Sequence, residues 1–122
     1  MANDPHRISV KDAAALTLRW RRNRPPDSIN GARFDRVTFD RLLSQPGCQG
    51  IRIYLGLHDP ADPSVPKGQS MWTFVVIGTD AAGNDIIPPQ SAMTDDSGGD
   101  PGQNPIPCPP VCGTPDPLND PP

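Results

Sequence analysis

Aromatic residues, glutamate and long hydrophobic runs are scarce or missing in this 122-residue chain. Aromatic residues make up 5% and hydrophobic residues 34% of the sequence, and glutamate does not occur. No apolar run approaches the ~20 residues that span a bilayer. The opening MANDPHRISVKD also lacks the apolar stretch of a signal peptide. We therefore expect no membrane partner and a cytoplasmic location, where disulfides are uncommon.

The few large apolar residues are unevenly distributed. Ile, Leu, Val and Phe number 21 in residues 1–88 but three in residues 89–122, where ten prolines and four glycines occur. Burying so little apolar surface does not offset the ~1–2 kcal/mol of backbone entropy lost per ordered residue. The sequence thus predicts a small domain over residues 1–88, followed by a Pro/Asp/Gly-rich tail over residues 89–122 that carries CPPVC.

Basic residues are missing after Lys67. All eleven Lys and Arg side chains lie in residues 1–67 with seven aspartates, a net charge of +4, and seven aspartates alone give residues 68–122 a charge of −7. An acidic tail behind a basic head can dock on its own head or on that of a neighbouring chain. A tail that serves only solubility is the alternative.

Two helices are predicted in the first half of the chain. Ser9 and Asp12 resemble a capping box, and the apolar spacing after them predicts a helix over about 9–23 that ends before two prolines. Thr38 is positioned to cap a second helix, TFDRLLSQ, which Pro46-Gly47 ends.

The second half of the domain predicts strands. GIRIYLGL (50–57) places isoleucine or leucine at every second position, the pattern of a half-buried strand. MWTFVVIGT (71–79) is apolar on both faces, which predicts a central strand covered on both sides. DAAGND (80–85) predicts a turn before one more short strand. The fold expected is α+β: two helices packed on a small, mostly antiparallel β-sheet, with an extended proline-rich C-terminal tail.

Three motifs together resemble an uncharacterised family of small bacterial proteins. They are GCQGIRIYLG (47–56), FVVIGTDAAGND (74–85) and CPPVCG (108–113). They are similar, in order, to that family's GC-x-GIRIY strand, VG-x-D-x-x-GND hairpin and terminal CPP-x-C. The resemblance covers about residues 8–113. The resemblance implies no activity, but it suggests that the three cysteines are part of the family pattern.

Cys108 and Cys112 lie four positions apart in a segment that must bend before they can act as a pair. In straight polyproline geometry four residues span ~12 Å, whereas a disulfide needs its Cα atoms within about 7 Å. Pro110 suits a turn position, and Gly113 permits a left-handed exit from the turn.

Three roles for the cysteines remain open. Zinc could bind Cys48, Cys108, Cys112 and His58, although the x3 spacing of the tail pair is not the usual knuckle. A disulfide could join Cys48 to one tail cysteine. The three could also remain unlinked and pack as small hydrophobes. Each reading anchors the tail near Cys48, and this clamp is our prediction. Apart from the zinc alternative, we expect no cofactor.

RWRRNR (19–24) invites a nucleic-acid interpretation, with phosphate contacts from arginine and stacking from Trp20. The chain as a whole is acidic, however, and helical spacing puts Trp20 on the apolar face with Leu16. We therefore expect no nucleic-acid partner.

No catalytic motif stands out. His58, Asp59 and Asp62 in LHDPAD offer a base and carboxylates but no nucleophile in a recognisable setting, so a solvent loop is expected. DAAGND lacks the spacing of a calcium loop. GxGxxG, P-loop, HExxH and GxSxG motifs do not occur.

These observations favour a non-enzymatic structural or interaction protein that self-associates, with a larger homomeric assembly such as a filament as one form. The tail and an exposed sheet edge are the expected contacts. The alternative is a metal- or thiol-dependent binding module that uses Cys48, Cys108 and Cys112.

Overall fold

The computed structural model describes residues 3–88 and 100–119. Within them the elements are α1 (Val10–Asn23), β1 (Gly31–Arg33), α2 (Arg36–Leu43), β2 (Gly50–Leu57), β3 (Trp72–Thr79) and β4 (Ile106–Cys108). The strands form two antiparallel pairs, β1 with β4 and β2 with β3. The α+β class predicted from the sequence is confirmed, with two small sheets in place of one.

α1 begins and ends where the sequence predicts. Ser9 is the N-cap, and its Oγ accepts a hydrogen bond from the Asp12 N–H at 3.0 Å. Arg24 is extended rather than helical because the following proline disfavours the helical backbone. No helix of the described residues has both the length and the apolar character needed to cross a bilayer.

α2 begins earlier than predicted. Its N-cap is Asp35, which makes no side-chain cap bond, and the Thr38 N–H donates to the Asp35 carbonyl at 3.1 Å. Thr38 is therefore inside the helix, and its assignment as the cap is wrong. Its methyl group instead lies where the tail passes: a Cβ built on Gly102 would meet Thr38 Cγ2 at 2.6 Å.

β3 is the central strand. One edge pairs with β2 over its whole length, and the other edge carries isolated bridges to Gly102 and Asp85. Val76 is 0% and Ile77 3% exposed, although they point to opposite faces, so the strand is covered on both sides as predicted. The extra strand predicted after the turn is reduced to the single bridge between Thr79 and Asp85.

The described part of the tail completes the sheets. Gly102 exchanges two backbone hydrogen bonds with Val76, at 2.7 and 2.8 Å. Further along, β4 pairs with β1, placing Cys108 opposite Gly31. Residues 100–119 therefore supply an edge contact and a strand to the domain, instead of trailing from it as a separate unit.

A polar cluster holds the 80–85 turn against β2. Arg52 Nη1 lies 2.6 Å from Asp85 Oδ1, its Nη2 donates to the Gly83 carbonyl at 2.8 Å, and the Tyr54 hydroxyl donates to Asp85 Oδ2. The hydrogen bond with Tyr54 and the charge of Asp85 raise the pKa of Arg52. The predicted turn is confirmed, with Gly83 at φ +85° as its left-handed residue.

Candidate interaction surface

The apolar side chains of β2 are exposed, contrary to the expectation of a half-buried strand. Along the strand the exposed fraction rises from 60% at Ile53 to 67% at Leu55 and 73% at Leu57. The reason is the placement of the helices. α2 contacts the end of the sheet near Gly78, where a Cβ would lie 3.5 Å from the Leu42 carbonyl oxygen, and α1 reaches the sheet through the contact of Trp20 with Trp72 of β3.

The outer edge of β2 is also open. The His58 N–H donates to the Met71 carbonyl in register with the ladder. Even-numbered residues of β2 therefore direct their backbone groups toward β3, and odd-numbered residues direct theirs outward. No residue in the ranges 3–88 and 100–119 pairs with that outer edge.

We name Ile53, Leu55 and Leu57, together with the adjoining Trp72, the β2 edge surface. A shallow groove of about 400 Å³ lies beside Leu55 and Leu57 and is walled by Trp72. Natural proteins usually protect an edge strand with a proline, a lysine, a bulge or an inward-pointing charge. The apolar face of β2 carries no charge or proline, so strand and side chains together form a template for pairing.

Cys108 and Cys112 form a disulfide with each other, with their Cα atoms 4.7 Å apart. Cys48 is a free thiol. The alternative in which a disulfide joins Cys48 to the tail is therefore wrong, and β4 pairs with β1 so that Cys108 lies opposite Gly31. Sequence reasoning required the bend but could not choose the partner, because spacing alone does not locate Cys48 in space.

The bend in CPPVC is made as predicted, but one side chain points elsewhere. The Val111 N–H donates to the Pro107 carbonyl at 3.0 Å, and Gly113 leaves the turn at φ +75°. Val111 itself is 57% exposed, so its side chain is not buried with the two cysteines. Asn119 fixes the far side of the turn by donating from Nδ2 to the Cys112 carbonyl at 2.6 Å.

The proposed zinc ligands do not assemble. In the described ranges no three His, Cys, Asp or Glu side chains are grouped so that they could hold a metal ion. Cys48 donates from Sγ to the Gly50 carbonyl at 3.3 Å, while Cys108 and Cys112 are bonded to each other. The Cys3His alternative with His58 is therefore wrong for this arrangement.

The LHDPAD segment has the geometry of a surface loop. Asp62 accepts from the backbone N–H of Ser64 at 2.9 Å and from its hydroxyl at 2.7 Å. These two bonds, with a smaller contribution from His58, lower the pKa of Asp62. Asp59 accepts from the Ala61 N–H in the same way. The Ser64 hydroxyl is directed at a carboxylate and not at His58, so no activated nucleophile is formed.

Trp20 is 36% exposed and contacts the domain on one side of its ring. Its Nε1–H donates to the Ile29 carbonyl at 2.8 Å, and its ring lies 6.2 Å from that of Trp72, tilted by 56°. These contacts place α1 against β3 through an aromatic pair.

Gly102 is the important residue that sequence reasoning missed. It lies in PGQN, where a glycine reads as loop, yet it closes the edge of β3. Only a residue without a Cβ fits between Thr38 and Val76. The local sequence carries no signal for this contact, because both neighbours are distant in the chain.

No protein-family model matches the chain, and comparisons with curated proteins and with solved structures give no significant match. The resemblance to a family of small bacterial proteins therefore stays a prediction.

Proposed function

We propose that this chain is a non-enzymatic structural or interaction protein that self-associates through the β2 edge surface. The observation that carries the proposal is that the outer edge of β2 has no strand partner among residues 3–88 and 100–119, and that the apolar side chains of Ile53, Leu55 and Leu57 beside it are exposed. Antiparallel addition of a second strand supplies partners to the outward backbone groups and covers these side chains at once.

The strand is compatible with pairing to a second copy of itself. A two-fold axis at Tyr54 sets Ile53 opposite Leu55 of the second copy and Ile51 opposite Leu57 of the second copy. This register matches all four apolar residues of β2 with one another. Arg52 falls opposite Gly56 of the second copy, so like charges do not meet.

Such pairing closes at two copies, because one patch contacts the same patch on its partner. A filament would need a second surface. The tail is already used in part within the chain, at Gly102 and at β4. The assembly that we propose is therefore a dimer with a four-stranded central sheet, and contacts from the tail are not required for it.

Sedimentation equilibrium and light scattering from low micromolar to near-millimolar protein test this assembly. The wild type should pass from monomer to dimer. Leu55→Lys, which places a charge at the centre of the edge, should remain monomeric. Val37→Lys, a matched change at a residue 71% exposed on α2, should still dimerise. A monomeric wild type throughout, or a Leu55→Lys variant that dimerises normally, contradicts the proposal.

The register can be tested by cross-linking. In a Cys48→Ser background, Tyr54→Cys faces itself across the proposed axis and should form a covalent dimer on mild oxidation. Leu57→Cys faces Ile51 of the second copy and should cross-link poorly. Equal cross-linking of both variants would rule out this register.

We also propose a cytoplasmic location, as the sequence analysis predicts. The Cys108–Cys112 disulfide weighs against it, because disulfides persist mainly in oxidising compartments. Alkylating thiols in intact cells decides: three labelled cysteines per chain fit the cytoplasm, and labelling of Cys48 alone contradicts it.

A further inference from the structure

A second cleft lies away from the β2 edge surface. It has a volume of about 720 Å³ and is enclosed by residues 24–28, residues 66–70 and the CPPVC turn. This volume is within the range of small-molecule sites. The cleft shares no lining residue with the β2 edge surface, so it needs an explanation of its own.

Positive charge predominates in the cleft. Arg21, Arg24 and Lys67 line it, and among the residues that the structure describes the only carboxylate in the lining is that of Asp27. That carboxylate accepts a hydrogen bond from the Met71 N–H at 3.2 Å, which satisfies part of its demand for donors. The local excess of cations is notable in a chain whose net charge is −3.

The two arginines of the cleft are held in place by hydrogen bonds to nearby oxygen atoms. Arg24 Nη1 donates to the Ser28 carbonyl at 2.5 Å, which uses one of the five N–H donors of the guanidinium. Arg21 donates to the Thr17 hydroxyl at 3.1 Å and to the Leu118 carbonyl. Both side chains are thus held near the cleft before any ligand arrives, which lowers the entropy lost on binding.

Lys67 stands at the tip of a tight turn. The Gln69 N–H donates to the Pro66 carbonyl at 3.0 Å, and Gly68 takes φ +87°, the left-handed residue of a type II turn. The hydroxyl of Ser70 donates to the Asp27 carbonyl and ties this turn to the opposite wall. The Lys67 ammonium itself has no hydrogen-bond or ion-pair partner in the ranges 3–88 and 100–119.

Prolines make up much of the remaining wall: Pro25, Pro26, Pro66, Pro109 and Pro110. A proline has no backbone N–H, so this wall offers few donors to an extended peptide and does not support strand addition. Recognition must come from the side-chain cations. Guanidinium and ammonium groups together suit an oxyanion, which accepts several charge-assisted hydrogen bonds.

We propose that this cleft binds a small polyvalent oxyanion of the phosphate type. Lys67 supplies a mobile point charge, and Arg24 supplies the remaining donors of a fixed guanidinium. The proline walls limit the ligand to a compact group. The CPPVC disulfide contributes by holding Pro109 and Pro110 in the wall.

Pyrophosphate and inorganic phosphate are the probes, titrated into the full chain by calorimetry and followed by amide chemical shifts. Saturable binding is expected, with shifts at residues 24–28 and 67–70 and tighter binding of pyrophosphate. Lys67→Ala should weaken pyrophosphate binding by about tenfold, and Lys67→Arg should retain most of it. Because Lys67 is exposed at the tip of a turn, neither change should affect folding.

Lys11→Ala is the matched control, since it removes the same charge from an exposed site on α1 outside the cleft. It should leave the affinity unchanged. The proposal is overturned if neither probe saturates at millimolar concentration. It is equally overturned if Lys11→Ala weakens binding as much as Lys67→Ala, because the effect would then belong to net charge and not to the cleft.

Discussion

The two outer edges of the β2–β3 pair differ in how they are finished. The edge of β3 is closed by Gly102, which bonds to Val76 in both directions, and by the 84–86 segment, whose Ile86 N–H donates to the Gly78 carbonyl. The edge of β2 has no partner among the described residues, and the side chains along it are mostly exposed. Within one sheet, the β3 edge is therefore protected by other parts of the chain, whereas the β2 edge is accessible to a second strand.

Substituting the two residues of one cross-strand pair should show the largest difference in stability between β3 and β2. Val76 is fully buried, whereas Ile53 opposite it is 60% exposed. Val76→Ala removes two buried methyl groups and leaves a cavity, which should lower the free energy of unfolding by about 2–3 kcal/mol. Ile53→Ala should change it by about 0.5 kcal/mol or less. Urea denaturation of dilute, monomeric protein measures both, and equal losses would contradict the comparison.

Adding a single methyl group tests the closed edge. A Cβ on Gly102 would lie 2.6 Å from Thr38 Cγ2 and 2.8 Å from Val76 Cγ2. We expect Gly102→Ala to cost about 1–3 kcal/mol of unfolding free energy, because packed side chains must move. Gly31→Ala is the control, since its Cβ would have no atom within 4 Å. A Gly102→Ala protein as stable as the control would mean that the tail does not approach β3 this closely.

The polar cluster should have a local effect. Asp85→Asn weakens the attachment of the 80–85 turn to Arg52 and Tyr54, so the edge of β3 beyond it should open more often. The Ile86 amide should then exchange with deuterium faster, while the Gly102 amide keeps its rate. Asp59→Asn, in a different loop, should change neither. Faster exchange at both amides would indicate general destabilisation instead.

The smallest effect is expected in the loop after β2, which contains Asp62 and Ser64. The bonds from Ser64 lower the pKa of Asp62, so the ionised form is favoured by the fold. Its contribution to loop stability is present above the ordinary pKa of aspartate and is lost as the pH falls through the lowered value. An NMR titration should show this lowered pKa, with Ser64→Ala raising it and the control Ser70→Ala leaving it unchanged.

The sequence predicts those features whose cause is local. Ser9 caps α1, two prolines end it, and DAAGND turns, because each depends on residues within one turn of chain. Alternation in β2 predicts a strand for the same reason. It cannot say which neighbour covers the apolar face, and here the helices leave Leu55 and Leu57 uncovered.

The features that sequence reasoning missed depend on distant contacts. The residues of CPPVC explain why the segment bends, but they do not show which cysteine each of its cysteines bonds to. The cleft around Lys67 is assembled from three separate segments, so no window of the sequence shows it. The tail has the composition of a disordered segment, yet residues 100–119 pair with strands β1 and β3, which come much earlier in the chain.

The pairing of β1 with β4 also bears on the order of events during synthesis. Gly31 leaves the ribosome long before Cys108, its register partner, and Val76 leaves before Gly102. A nascent chain that ends near residue 90 therefore holds β1 without its partner strand and β3 without its contact to Gly102. Contacts between residues so far apart form slowly, and unpaired edges are aggregation-prone while they wait. Residues 102–108 therefore join the two sheets after β1 and β3 have been synthesised, and any delay in their arrival prolongs the interval in which unpaired strand edges can capture a neighbouring chain.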